Sequence, residues 1–407
     1  MYLLDYKSTT FALSKIGTAL TSETDLNNLF RLIVDEVIKV AHCDGCSLYL
    51  KEDEPERLIF QATRTLSLEE KQSGYVGTFQ ARPIKLEKTS IAGYTAITGA
   101  IVNIPDCYAL SAKVEYKFNT VYDQASGYKT VSMLSVPMKL QDGTVIGVIQ
   151  LINNLDEKGS IIPFHRELEE VIIAVASQAA VAINNARLRA VQTESSFAFI
   201  ILNLSLVAYS FFLVLFDPTS SENAYTITTL IFSFYFVIIS IFIIKNSKLP
   251  VSKFGLSLKN LRQSLVESIA VSAVVILLIT LLKIWAVNNW ALFEEYAIID
   301  LNEIGWPFYS YLLVAPTQEF ITRGVLQGTV ERIMPGKYNW LWAIVVSSCL
   351  FGAFHIFYSF NLAVLTIGSG FLWGFMYARH RNIVGISISH FAIGNYLLLT
   401  HFWNLLF

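Results

Sequence analysis

Residues 197–216 read FAFIILNLSLVAYSFFLVLF, twenty residues without a charge. Wound as a helix, such a run covers about 30 Å, the hydrocarbon thickness of a bilayer. Upstream, residues 1–195 have the composition of an ordinary globular domain, with charged runs such as Lys51-Glu52-Asp53-Glu54 and Glu167-Leu168-Glu169-Glu170. Downstream, further apolar stretches near 225–244, 267–287, 340–358, 361–378 and 383–406 are close to spanning length. A seventh, near 306–330, starts apolar and then carries Gln318, Glu319, Arg323 and Glu331. The whole chain of 407 residues is 54% hydrophobic and 15% charged, against about 25% charged in a typical soluble domain, and its mean hydropathy is +0.49. The break near residue 195 therefore divides a soluble domain from an integral, multi-pass membrane bundle of about seven helices. The lipid bilayer is the first partner this implies.

The connections give an orientation. Lys245, Lys248, Lys253, Lys259 and Arg262 fill one link, and Glu294, Glu295, Asp300 and Glu303 the next. Arg332 and Lys337, then Arg379, His380 and Arg381, follow in later links. Basic links alternating with acidic ones follow the positive-inside rule when the N-terminal domain is cytoplasmic. Seven spans would put the C-terminus outside. The start, MYLLDYKSTT, lacks the basic and apolar regions of a signal peptide. A net charge of −2 offers no basic stripe for nucleic acid. Cys43, Cys46, Cys107 and Cys349 form no disulfide framework, and Cys43-x-x-Cys46 has no second pair, so buried thiols are expected.

In the soluble half, helical periodicity runs through Phe11, Leu13 and Ile16, then Leu26, Leu29, Ile33 and Val37. Strand-like runs follow at 46–50, 57–60 and 131–138. Gln141-Asp-Gly143 predicts a hairpin turn into 145–152. A long helix over 164–189, with Val171, Ile172, Val175, Ala179, Val181 and Ile183 recurring, closes an α+β pattern. That helix either packs on its own sheet or carries a signal into the span at Phe197.

The segments Ser90-Ile-Ala-Gly-Tyr94, Val102-Asn-Ile-Pro-Asp106, Ser126-Gly-Tyr-Lys-Thr-Val-Ser-Met-Leu-Ser-Val-Pro137 and Gly147-Val-Ile-Gln-Leu-Ile-Asn153 resemble a GAF domain over about residues 10–190. The likeness is greatest to the GAF domains of cyclic-nucleotide phosphodiesterases and cyclases. It implies an antiparallel sheet with flanking helices, a cyclic nucleotide or other small ligand, and pairing into a homodimer through the terminal helices. The family signature is Asn-Lys, then Phe, three residues, Asp-Glu. Here Asn153-Asn154 precede Phe164 and Leu168-Glu169, so the Lys and the Asp are replaced. A domain used only for dimerisation or packing stays open beside a ligand-binding one.

Ionisable groups inside spans usually mark a site or a paired structural bond. Glu319 and Arg323 sit four apart on one helix face and can pair; His355 and His390 lie on two other spans. The motifs Gln318-Glu319-Phe-Ile-Thr-Arg323, Phe351-Gly-Ala-Phe-His355 and His390-Phe-Ala-Ile-Gly-Asn395 resemble the CPBP family, which holds type II CAAX prenyl endopeptidases and bacteriocin-processing enzymes. Gly370-Phe-Leu-Trp-Gly374 and Val251-Ser-Lys-Phe-Gly-Leu256 add to the likeness, which covers about residues 250–400. It implies metal-independent hydrolysis of a membrane-associated peptide or protein. The first Glu of the family pair and the first His would activate water, and the second His and the Asn would hold the oxyanion.

Two positions depart from the family. Gln318 stands where the base is expected, and an amide orients a water but takes no proton. Asn395 follows His390 by five residues, with Gly394 at the family's place. The domains are thus expected at 1–190, 191–250 (two spans) and 251–407. The expected catalytic set is Gln318, Glu319, Arg323, His355, His390 and Asn395. The functional alternatives are a GAF-regulated peptidase, a non-catalytic receptor or scaffold, and a metal site on Glu319, His355 and His390.

Overall fold

The computed structural model describes residues 17, 18, 20, 22, 23, 25–53, 55–71, 83–216, 221–247 and 249–406. Phe11, Leu13 and Ile16 of the expected first helix lie outside them, as does Lys248 of the basic link. The chain divides into two compact units, Met1–Arg189 and Ala190–Phe407.

In the first unit, helix α1 (Leu26–Ala41) is started by Asp25, whose side chain accepts from the Asn28 amide and so satisfies an otherwise free helical donor. Strands β1 (Cys43–Asp53) and β2 (Glu56–Thr65), helix α2 (Leu66–Lys71), β3 (Ile84–Lys85), helix α3 (Ile91–Thr98), β4 (Val102–Ile104) and helix α4 (Val121–Ser126) follow. Next come β5 (Met133–Lys139), β6 (Val145–Leu155), β7 (Ile161–Ile162) and helix α5 (Arg166–Phe216). The sheet order is β3-β2-β1-β6-β5-β4, all antiparallel, with β7 added to β6. The expected β5–β6 hairpin forms, and Gly143 takes φ 85° at its turn.

Cross-strand rows Leu48–Ile149–Val136 and Cys46–Leu151–Leu134 point to one face. There they meet Leu29, Ile33 and Val37 of α1 and Ile172, Val175, Ala179 and Ile183 of α5 in one core. Each large side chain so buried stabilises by roughly 1.5–3 kcal/mol. The other face is covered by Ala92 and Ala96 of α3, which pack on Leu58 and Val148. The first part of α5 therefore packs on its own sheet. Val181, expected among its inward residues, instead faces outward with Ile173 and Leu188. Cys43 and Cys46 lie inside the core, where burial first and then the charge of Asp44 push the Cys43 thiol up to about 12. At neutral pH it stays protonated and unreactive.

Helix α5 runs unbroken past residue 189, so one helix includes both the closing helix and the stretch 197–216. The second unit continues with α6 (Glu222–Asn246), α7 (Leu261–Asn289) and α8 (Trp306–Glu319). A π-helical stretch (Phe320–Gln327) leads into α9 (Gly328–Ile333), then α10 (Asn339–His355), α11 (Phe360–His380) and α12 (Ile383–Leu399). Among the described residues, four helices are long and apolar enough to cross a membrane: α5, α6, α7 and α11. α10 and α12 are apolar but have 17 residues each, about 26 Å. The stretch expected to run to residue 406 ends as a helix at Leu399 and turns into a short 3-10 segment, Phe402–Leu405. The stretch 306–330 is no uniform helix either, because the π winding interrupts it.

Candidate functional site

The π segment positions the charged cluster. Pro316 lies inside α8 and has no N–H to give. Past it the hydrogen bonds widen: the Gly328 amide reaches back five residues to the Arg323 carbonyl. The wider winding keeps Glu319 and Arg323 on one face. It also makes room for the segment Val251–Phe254, whose Phe254 carbonyl would lie 2.3 Å from a Cβ at Gly324. Only glycine admits that approach.

Glu319 and Arg323 are wholly buried. Glu319 Oε2 faces Arg323 Nε at 3.5 Å, and Glu319 Oε1 meets His390 Nδ1 at 2.7 Å. Arg323 Nη1 donates to Ser347 Oγ (3.1 Å), Ser348 Oγ (3.3 Å) and Gln327 Oε1 (3.3 Å). The guanidinium thereby ties the π segment to α10. Gly370 and Gly374 of α11 leave it space, since a Cβ at either would come within 3.2 or 3.3 Å of its nitrogens. The pair expected at 319 and 323 is thus present, with His390 added to it.

His390 is fixed on all sides. Its Nε2 is 2.8 Å from the Tyr311 hydroxyl, and the Trp373 ring stacks on its face at 4.0 Å. Trp373 in turn donates from Nε1 to Ser389 Oγ. Against a carboxylate, which only accepts, Nδ1 carries the proton, so neutral His390 offers the Nε2 lone pair to Tyr311. A carboxylate, an imidazole and a phenol stand in line.

α12 remains regular through Gly394. Gly394 instead leaves space for Tyr311, whose ring would lie 2.4 Å from a Cβ there. Asn395 points elsewhere, its Nδ2 reaching the Phe308 carbonyl at 3.4 Å. Tyr311, Asn395, Ser310 and Thr229 line a cavity of about 60 Å³, room for a few waters. Gln318 and His355 line a second, of about 20 Å³, together with Thr229 and Tyr358. His355 Nδ1 donates to the Phe351 carbonyl at 2.8 Å, which leaves Nε2 as its lone-pair nitrogen.

The six expected residues therefore divide into those in direct contact and those that line cavities. Glu319 meets both Arg323 and His390. Gln318 and His355 share the smaller cavity, and Asn395 lines the larger. Sequence reasoning missed Tyr311, Gln327, Ser347, Ser348 and Trp373; only the small residue at 394 hinted that something bulky faces it. Among the described residues, three groups suit a metal elsewhere, Asp300, Glu303 and His401, and not Glu319, His355 and His390.

In the first unit the signature positions are used for structure. Asn153, at φ 56°, accepts from the Val131 amide and donates to Tyr128 Oη and the Lys129 carbonyl. Asn154 donates to the Pro163 carbonyl, while Asn103 joins the Phe164 carbonyl to Glu169 Oε1. Leu168, where the family has Asp, sits in the core. Both replaced positions thus have partners of another kind.

Residues 25–183 match the family model of the GAF domain, and residues 300–395 that of the Type II CAAX prenyl endopeptidase Rce1-like family. Over 193 residues the chain is 30% identical to dual 3',5'-cyclic-AMP and -GMP phosphodiesterase 11A of Takifugu rubripes, covering 46% of this chain and 20% of that protein. Over 68 residues it is 43% identical to dual 3',5'-cyclic-AMP and -GMP phosphodiesterase 11 of Drosophila melanogaster, covering 17% of this chain and 4% of that one. The chain thus spans a fifth or less of these curated relatives. Solved GAF domains of phosphoenolpyruvate-protein phosphotransferases are also similar. That from Coxiella burnetii is 20% identical, covering 46% of this chain and 98% of its own, with TM-score 0.36. That from Acinetobacter is 18% identical, covering 44% and 95%, with TM-score 0.34.

Proposed function

We propose that this chain, which joins a GAF domain to a Type II CAAX prenyl endopeptidase Rce1-like domain, hydrolyses a peptide bond of a membrane-associated substrate under control of its GAF domain. The observation that carries the reading is the 2.7 Å contact between Glu319 and His390. It joins two of the three motif segments inside the apolar bundle, next to cavities with room for water. Ionisable groups inside an apolar bundle are costly and commonly mark a functional site. In this reading His355 Nε2 and the Gln318 amide hold the attacking water. The carbonyl faces the cavity that Tyr311 and Asn395 line.

The chain passes the membrane several times, with the GAF domain cytoplasmic, as the alternating basic and acidic links favour. A small ligand such as a cyclic nucleotide acts on the GAF domain, and two copies pair through α5. The outward apolar residues Ile173, Val181 and Leu188 support that pairing, because they recur at nearly heptad spacing. Calorimetry with cyclic AMP and cyclic GMP beside light scattering tests this half. Heat of binding and a two-chain mass are expected, and silence with a one-chain mass contradicts it.

The catalytic half is tested with the reconstituted chain and a membrane-protein extract from cells lacking it, new termini being identified by mass spectrometry. Cleavage should fall by about 10²-fold or more in His355→Ala and in His390→Ala. Cleavage undiminished from wild type in both variants, each shown to be folded, would mean that it does not arise at this site and would leave the scaffold reading.

A further inference from the structure

We infer that Tyr311 is the residue that takes the proton of the attacking water, passing its own proton to His390, whose imidazolium Glu319 stabilises. The inference rests on the peptidase reading above and deepens it by naming the group that replaces the missing carboxylate at position 318.

Three observations carry it. Glu319 Oε1, His390 and the Tyr311 hydroxyl form one chain of contacts at 2.7 and 2.8 Å. Tyr311 brings that chain to the wall of the larger cavity, whereas Glu319 is wholly buried and lines neither cavity. Gly394 gives the phenol its place, since any larger residue would collide with the ring.

His355 is the competing base, and electrostatics decides against it. A histidine that accepts a proton becomes a cation and needs a partner. His390 has a carboxylate at 2.7 Å. His355 has the Phe351 carbonyl and the rings of Phe351 and Tyr358, and no carboxylate in ion-pair contact among the described residues. The two cavities share Thr229 as a wall, and the relay requires the attacking water at that junction.

The proton inventory closes. As the water oxygen bonds to the scissile carbonyl carbon, a water proton moves to the Tyr311 oxygen and the phenolic proton to His390 Nε2. The carbonyl π electrons move onto its oxygen. When the carbon–nitrogen bond breaks, its electron pair leaves with the nitrogen. His390 then returns its proton to Tyr311, and Tyr311 delivers one to that nitrogen. A carboxylic acid and an amine result, and the three residues end as they began. This is the take-and-return role of an imidazole held by a carboxylate, with a phenol as its outer member.

The test measures Tyr311→Phe in the reconstituted full chain, using as reporter the peptide that wild type cleaves fastest from the membrane extract. The expected result is a fall of about 10²–10⁴-fold in kcat with KM within a few-fold, at an unchanged melting temperature. Wild-type kcat in Tyr311→Phe, with cleavage lost in His390→Ala, would overturn the inference and leave the peptidase. Absence of cleavage by wild type would overturn both. Should Tyr311→Phe not fold, fluorotyrosine placed at 311 keeps the ring and acidifies the hydroxyl. A changed rate supports the relay, and an unchanged one refutes it.

Discussion

Arg323→Leu should leave little folded membrane unit, because it strands Glu319 as a buried charge. Both side chains are wholly buried, and Arg323 Nη1 alone holds Ser347, Ser348 and Gln327. Removing one partner of a buried ion pair costs about 3–5 kcal/mol, a large part of the 5–15 kcal/mol that folded domains usually have. Arg323→Lys should rescue little, since an ammonium cannot reach Glu319 and the α10 serines through one planar fork. The double variant Glu319→Leu with Arg323→Leu should lose less than Arg323→Leu alone, because no charge is then left unpaired. Thermal unfolding in detergent measures all three. An Arg323→Leu melting temperature within a few degrees of wild type would mean that the pair does not hold the bundle.

Glu319→Gln should abolish cleavage while disturbing the shape least. The new amide can donate to His390 Nδ1, which moves the imidazole proton to Nε2. That nitrogen then cannot accept from Tyr311, and the imidazolium loses its counter-charge. A wrong tautomer behind a catalytic hydroxyl costs up to about 10⁴-fold in other enzymes, and a loss of about 10²–10⁴-fold is expected here. Some stability is lost as well, because Arg323 loses its anion, so kcat must be measured on the folded fraction. Unreduced kcat in that fraction would remove Glu319 from the chemistry and leave it a structural partner of Arg323.

Much of the architecture was legible because it follows simple periods. The β5–β6 hairpin announced itself through alternating apolar residues around Asp142-Gly143, although its register shifts by one residue between Met138 and Lys139. The helices α6, α7 and α11 follow from uninterrupted apolar length. The three polar motifs were visible as ionisable residues where lipid-like composition surrounds them.

What stayed hidden depends on contacts between segments distant in the chain. The π winding over Phe320–Gln327 leaves no compositional mark beyond Pro316 and Gly324, whose purpose is the approach of Phe254. Ser347 and Ser348 look like ordinary small residues of an apolar helix until Arg323 is placed between them. Gly394 reads as a displaced asparagine site, yet its meaning is the ring of Tyr311, 83 positions upstream. The split of the expected catalytic set into two groups likewise depends on the tilt and spacing of α8, α10 and α12, which no local pattern encodes.

The central claim, that the membrane unit is a hydrolase, is tested most directly by the source of the oxygen in its products. The purified wild-type chain is reconstituted with the membrane-protein extract in water labelled with heavy oxygen, and the new C-termini are weighed by mass spectrometry. Each new terminus is expected to carry heavy oxygen in its carboxyl group, and none is expected when Tyr311→Phe or Glu319→Gln replaces wild type. No new termini with wild type, or new termini without the label, would contradict it.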